Sequence, residues 1–272
     1  MPISLAFVTL FVLSTSAQDR TNGRQLVING QLAELGQFPF HVRIIVQKPD
    51  KTIEGTAFII DNGRYLVTAA HNLHRGVAGK AVAAQLNRKY LVPPSQVRQF
   101  QSSDWRIHGH FSYKTLKNDI ALIRLPRPFN TSATNAIKSI DIRRDDNFYA
   151  MPGTEALTIG FGDKLPDVTS DELRFAAVTI KTFLTCKTVY PQINSPAFCA
   201  ETNMVGSSKG DSGGPLLVLD EQNRFVPVGV VSFGPNTTYG KLHQDQFPTV
   251  YTRLSAYCDW IESKTRKEYS CI

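Results

Sequence analysis

Short apolar or alternating runs recur along the chain, each bounded by Gly, Asn, Asp or Pro. Residues 42–46 (Val-Arg-Ile-Ile-Val), 57–60 (Ala-Phe-Ile-Ile), 65–67 (Tyr-Leu-Val), 120–123 (Ile-Ala-Leu-Ile), 177–180 (Ala-Val-Thr-Ile), 216–219 (Leu-Leu-Val-Leu) and 228–231 (Val-Gly-Val-Val) have the length and period of strands. The pattern predicts an all-β chain of barrel or sandwich type. One stretch departs from it. From Ser255, the run Ala256-Tyr257-Cys258-Asp259-Trp260-Ile261 has helical period, with Ser255 placed to cap it and basic residues in its last turns, which predicts a helix over about 255–267. Residues 3–13 are apolar without alternation and are followed by Ser14-Thr15-Ser16-Ala17. That run is too short to span a bilayer and has the form of a signal-peptide core, which makes residues 1–17 a leader and the chain a secreted, extracellular one without a membrane anchor.

Composition narrows the picture further. After the leader, about 250 residues remain, enough for one large all-β unit or two small domains, and no linker, charge block or repeat divides them. The formal net charge is +7, and losing Arg20 and Arg24 against Asp19 with residues 1–26 lowers it to +6. Arg88-Lys89, Arg143-Arg144 and the basic residues of 264–267 are scattered and fit solvated faces, and no aromatic-interleaved basic motif points to nucleic acid. Asn130-Thr131-Ser132 and Asn236-Thr237-Thr238 are glycosylation sequons, as suits a secreted chain. The four cysteines, Cys186, Cys199, Cys258 and Cys271, allow three pairings, and no zinc-ligand spacing is present.

Three segments carry chemistry: Leu66-Val67-Thr68-Ala69-Ala70-His71, Asn118-Asp119-Ile120-Ala121-Leu122 and Lys209-Gly210-Asp211-Ser212-Gly213-Gly214-Pro215. A serine hydroxyl becomes a nucleophile when an imidazole takes its proton, and the imidazole needs a carboxylate to fix its tautomer and steady the cation. Glycines around the serine let backbone N–H groups approach a substrate carbonyl. With His, Asp and Ser in that order, the chain resembles the trypsin/chymotrypsin family of serine endopeptidases. The resemblance extends from Val27-Ile28-Asn29-Gly30 through Gly36-Gln37-Phe38-Pro39, Gly160-Phe161-Gly162, Ser232-Phe233-Gly234 and Pro248-Thr249-Val250-Tyr251-Thr252-Arg253 to about Ile261.

The resemblance implies two six-stranded antiparallel β-barrels over residues 27–272, divided near 135–150, with a C-terminal α-helix behind them. It implies a general base at His71, its orienting Asp119, the nucleophile Ser212, and oxyanion N–H groups on Gly210 and Ser212. Ser232 to Gly234 would hold the substrate main chain. The pocket would be built by Gly206 as floor, Ser232, Gly234 and Thr249, with two charges able to alter it: Asp245 in the lengthened 235–247 segment, and Lys209 at the rim, which would favour acidic substrates. A floor without a carboxylate disfavours Arg and Lys and implies cleavage after medium or large apolar residues. Residues 18–26 would be an activation propeptide, cut between Leu26 and Val27 so that the Val27 amine pairs with Asp211; the alternative is a cut after Arg24 followed by trimming of Gln25-Leu26. The bridge Cys186–Cys199 matches a family disulfide, leaving Cys258 and Cys271 to each other. Two family bridges are missing: Asn72 follows His71 opposite Glu54-Gly55, and Ser208 stands where a pocket cysteine would be. With no Asp or Glu between Asp61 and Asp104, a calcium loop is not expected, and neither metal nor cofactor is implied. Expected partners are protein or peptide substrates and proteinaceous inhibitors, for a monomer. The competing class is a secreted, non-catalytic protease-like binding protein.

Overall fold

The computed structural model describes residues 30–165, 168–193, 196–202 and 206–272. The expected leader, the propeptide and Val27 lie outside the described residues. All seven runs read as strands fall on strands, with only Ile120 left outside, namely His41–Gln47, Thr52–Ile60, Tyr65–Thr68, Ala121–Arg124, Arg174–Ile180, Pro215–Leu219 and Phe225–Phe233. They fall into two antiparallel sheets that divide between Arg124 and Glu155.

The later sheet closes on itself. Its order runs Arg174–Ile180, Ala197–Glu201, Thr249–Arg253, Phe225–Phe233, Pro215–Leu219 and Glu155–Gly160, and the last pairs back onto the first. This is the expected six-stranded barrel. The earlier sheet differs from a continuous six-stranded barrel because one of its segments is broken. Gln96–Gln101 pairs with Ala78–Ala83, a 3-10 turn at Ser102–Asp104 redirects the chain, and Trp105–Ile107 pairs with Ala121–Arg124 at the opposite edge. The result is a curled half-barrel of seven strands whose two edges belong to one stretch of chain.

Alternating strand faces build the interior. Val42, Ile44 and Val46 from one strand and Phe58 and Ile60 from the next are buried together with Leu66 and Ile123. Phe38 joins the sheets, its ring 5.2 Å from Phe175 and 5.3 Å from Phe225. The chain ends in a 3-10 turn, Ser255–Tyr257, followed by the α-helix Cys258–Lys264. Ser255 lies within that turn, and neither the turn nor the helix has a side-chain cap, so the expected cap at Ser255 is not formed. The helix is fixed by packing instead: Tyr257 and Ile261 enter the same core, and the Tyr269 hydroxyl accepts the Ile142 N–H at 2.7 Å. Both implied disulfides are present, Cys186–Cys199 and Cys258–Cys271.

Candidate active site

Strand ends deliver the chemical groups to one cleft. Tyr65–Thr68 runs into a one-turn helix, Ala70–Leu73, that carries His71; Asp119 lies two residues before the core strand Ala121–Arg124; Ser212 precedes Pro215–Leu219. Asp119 is wholly buried. Its Oδ1 accepts the His71 backbone N–H at 2.9 Å, and its Oδ2 accepts His71 Nδ1–H at 2.7 Å. A carboxylate only accepts, so this contact places the proton on Nδ1 and turns Nε2 outward as a base. The Ser232 hydroxyl donates to the same Oδ2 at 2.6 Å, and the Thr252 hydroxyl donates to the Asp119 carbonyl at 3.1 Å. Ser232, expected only in substrate binding, is therefore also part of the charge-holding set. His71 and Ser212 line a common cleft. Among the described residues no hydrogen bond joins their side chains.

The nucleophile loop is anchored from both sheets. The Ser212 carbonyl accepts the Thr56 N–H at 2.8 Å and Asn72 Nδ2–H at 2.8 Å. Asn72 occupies the ground of the missing family bridge: a Cβ placed on Gly55 would lie 2.7 Å from Asn72 Nδ2. An amide thus ties the His71 helix to the Ser212 loop where a disulfide was absent. The Thr68 hydroxyl completes this set, accepting from Asn72 at 3.2 Å and donating to the Thr56 carbonyl at 2.7 Å. Gly213, at φ +87°, lets the loop pass against Thr56, Thr68 and Asn72 with no room for a Cβ. The Gly210 carbonyl accepts the Thr56 hydroxyl at 3.0 Å. Among the described residues the N–H groups of Gly210 and Ser212 donate to no backbone carbonyl outside the regular elements, as oxyanion donors require.

Asp211 is buried beneath this loop. It accepts the Gly162 N–H at 2.7 Å and the Ser208 N–H at 2.8 Å, and it fits because Gly160 and Gly162 lack side chains. Burial pushes its pKa up to about 7 against the pull of these two bonds. No described cation is ion-paired with it, and the partner expected from the resemblance, the amine of Val27, lies outside the described residues.

The pocket beside Ser212 is more polar than the sequence implied. Ser207, Ser208, Gly234, Lys241 and Thr249 line it. The space that a side chain on Gly206, the expected floor, would fill is taken by the fully buried Gln244, whose Nε2 donates to the Ser207 carbonyl at 3.2 Å. The Thr249 hydroxyl donates to Gln244 Oε1 at 3.3 Å and lies 3.1 Å from the place of a Cβ on Gly234, narrowing the slot. Lys241 Nζ is paired with Asp163 at 3.2 Å. Asp245 is exposed and does not line the pocket; the short helix Thr238–Leu242 turns its neighbour Gln244 inward instead. Sequence reasoning missed Gln244 and Lys241 because the 235–247 segment carries no motif that fixes their register. Asn130 and Asn236 are both exposed, the latter at the cleft rim. Among the described residues no cluster of three or more His, Cys, Asp or Glu could hold a metal.

A buried Asp, an imidazole and a serine converging between two β-sheets define the serine-hydrolase class. The family described as Trypsin matches residues 27–261, and the chain belongs to the trypsin family of serine proteases. It is 29% identical to rat (Rattus norvegicus) complement factor I over 243 residues, covering 88% of this chain and 38% of that protein. Ovochymase of Halocynthia roretzi is 28% identical over 254 residues, covering 88% of this chain and 16% of that protein. Tissue-type plasminogen activator of Bos taurus is 27% identical over 256 residues, covering 87% of this chain and 44% of that protein. The chain thus spans less than half the length of these relatives. Among the described residues no helix is long and apolar enough to cross a membrane.

Proposed function

We propose that the protein is a secreted serine endopeptidase, made as a zymogen, that hydrolyses peptide bonds through an acyl-enzyme on Ser212. The observation that carries this is the complete His71–Asp119–Ser232 hydrogen-bond set beside Ser212 in one open cleft. A side-chain rotation brings Ser212 Oγ to His71 Nε2, which takes the hydroxyl proton as Oγ attacks the carbonyl carbon. The developing oxyanion meets the N–H groups of Gly210 and Ser212. His71 then gives its proton to the leaving amine, and water repeats the sequence to release the acid. Asp119 stays ionised and holds the imidazolium. A non-catalytic binding protein would have no use for this hydrogen-bonded set, and all of its members are in place.

Cleavage follows uncharged residues of medium size, such as Leu or Met. Thr249 narrows the slot at Gly234, and no carboxylate among the described residues lines the cleft to receive a substrate cation. The cut that frees Val27 falls after Leu26, and Asn130 and Asn236 carry glycans on the secreted form. A phosphonylating serine reagent is expected to label Ser212 in the processed protein, and Ser212→Ala is expected to lose at least about 1,000-fold in kcat. Matched peptides differing only before the scissile bond give the order Leu and Met above Phe, with Arg lowest. Full turnover by Ser212→Ala overturns the mechanism; a preference for Glu reassigns the pocket to Lys241.

A further inference from the structure

A second groove adjoins the catalytic cleft on the side of the earlier sheet. It encloses 790 Å³ and is lined by Lys48, Asp50, Lys51, His74, Arg75 and Lys114, with Tyr113 shared between groove and cleft. Lys48 Nζ donates to the His71 carbonyl at 3.2 Å, which sets the groove directly beside the general base. Tyr113 stacks on His74 with ring centroids 4.9 Å apart and forms a flat wall between the two spaces.

The charges here are uncompensated. Four formal cations face one carboxylate, and none of Lys48, Lys51, Arg75 and Lys114 forms an ion pair among the described residues. Several surface cations elsewhere are matched: Lys89 with Asp171 at 2.6 Å, Lys181 with Glu201 at 2.8 Å, and Arg144 with both Asp259 and Glu262. Partial burial and the neighbouring Lys51 hold the Lys48 pKa below its usual value, and burial, Arg75 and Lys48 do the same to His74. A cluster that repels itself is relieved by an arriving anion.

We propose that this groove is a substrate subsite for an acidic side chain flanking the scissile bond, so that the preferred substrates carry Asp or Glu within a few residues of the cleaved position. The proposal rests on the peptidase reading, because it assigns the groove to substrate. It adds a determinant outside the pocket beside Ser212. Exposed cations act through a screened field, so the preference fades with salt.

The test uses binding, which does not depend on turnover. Processed chain carrying Ser212→Ala is titrated with fluorescent peptides of one sequence that differ only in Glu or Gln at each position flanking the expected cut. Anisotropy is read at low salt and at about 0.5 M salt. At one or more positions the Glu peptide is expected to bind about fivefold more tightly at low salt, with the difference gone at high salt. Adding Lys51→Gln and Arg75→Gln, both outside the catalytic set, is expected to erase the preference while leaving Gln-peptide binding unchanged. Equal binding of Glu and Gln peptides throughout overturns the proposal. So does a preference that survives in the Lys51→Gln, Arg75→Gln protein, which would place the charge reader at Lys209. Tight capture of a sulfated polysaccharide without discrimination between the peptides also overturns it, in favour of a polyanion surface. Loss of turnover in the wild-type protein, with the binding preference intact, would count against the peptidase reading alone.

Discussion

Asn72 follows His71 and reaches the carbonyl of Ser212, so two segments of the candidate site from different sheets share one amide. Its loss removes one of two donors to that carbonyl, the Thr56 N–H being the other. Asn72→Ala is expected to cost about 1–3 kcal/mol of stability, the range for a broken buried hydrogen bond. It should also lower kcat by about tenfold with little change in KM, since misplacing a nucleophile slows the chemistry more than it weakens binding. Pairing Asn72→Cys with Gly55→Cys is expected to restore kcat if their bridge forms, because the tie and not the amide is what matters. An Asn72→Ala enzyme with unaltered kcat would show that Thr56 suffices. The convergence of His71, Asp119 and Ser212 on one cleft was legible in the sequence because each sits in a distinctive short motif. Asn72 was legible only as a cysteine that is not there, and its partner at 140 residues' separation needed coordinates. Gln244 was harder still, since neighbouring Asp245 carries the charge that draws attention while Gln244 turns inward.

Among the elements, the strands read from sequence are those buried on one or both faces. The ones overlooked are mostly shorter or half-wet. Gln96–Gln101 shows a single buried residue, Phe100, amid Gln and Arg, because one side faces solvent and its apolar content is too low to stand out. Ala78–Ala83 begins with half-buried Ala78 and Gly79 and exposed Lys80, and buries only its last three residues. The broken segment 96–107 could not be read at all, for its turn at Ser102–Asp104 is closed by Gln101 and Asp104 exchanging backbone and side-chain bonds, a local capping box with no apolar signature. Only tertiary pairing shows that its halves belong to opposite edges. The C-terminal helix illustrates the reverse case: its period was visible, its capping was not, since packing replaces a cap. Its fastening to the chain end is testable. Replacing Cys258 and Cys271 by serine is expected to lower stability by about 3 kcal/mol through the unfolded chain's regained freedom. The cleft contains neither residue, so kcat/KM measured well below the melting temperature should hold.

For the whole molecule, Asp211 links charge, processing and stability. In the uncut chain residue 27 offers a peptide N–H and no ammonium. A carboxyl whose folded pKa is raised from 3.8 to about 7 contributes stability that is full below the lower value and lost as pH climbs through the upper one. A rise of that size corresponds to about 4 kcal/mol. The unprocessed protein is therefore expected to lose melting temperature as pH rises from about 4 to about 7 and to level off above that, with Asp211→Asn nearly flat over the same range. Freeing the Val27 amine supplies the missing cation, and the processed enzyme should keep its stability to higher pH. Leu26→Asp is expected to block processing at this bond, read by mass spectrometry of the N-terminus. A fully active form with a stable N-terminus at Gln25 would refute the pairing.

The two disulfides have a consequence for what survives a cut. Each closes a short loop, at a sequence separation of 13, and both lie in the later half of the chain. No sulfur bridge crosses between the two sheets. A nick in any exposed loop before Cys186 therefore leaves two polypeptides held together only by core packing and strand pairing, and they part on a denaturing gel even without reducing agent. Residues 18–26 hold no cysteine either, so a cut after Leu26 releases that segment with no covalent tether to the body it has just left.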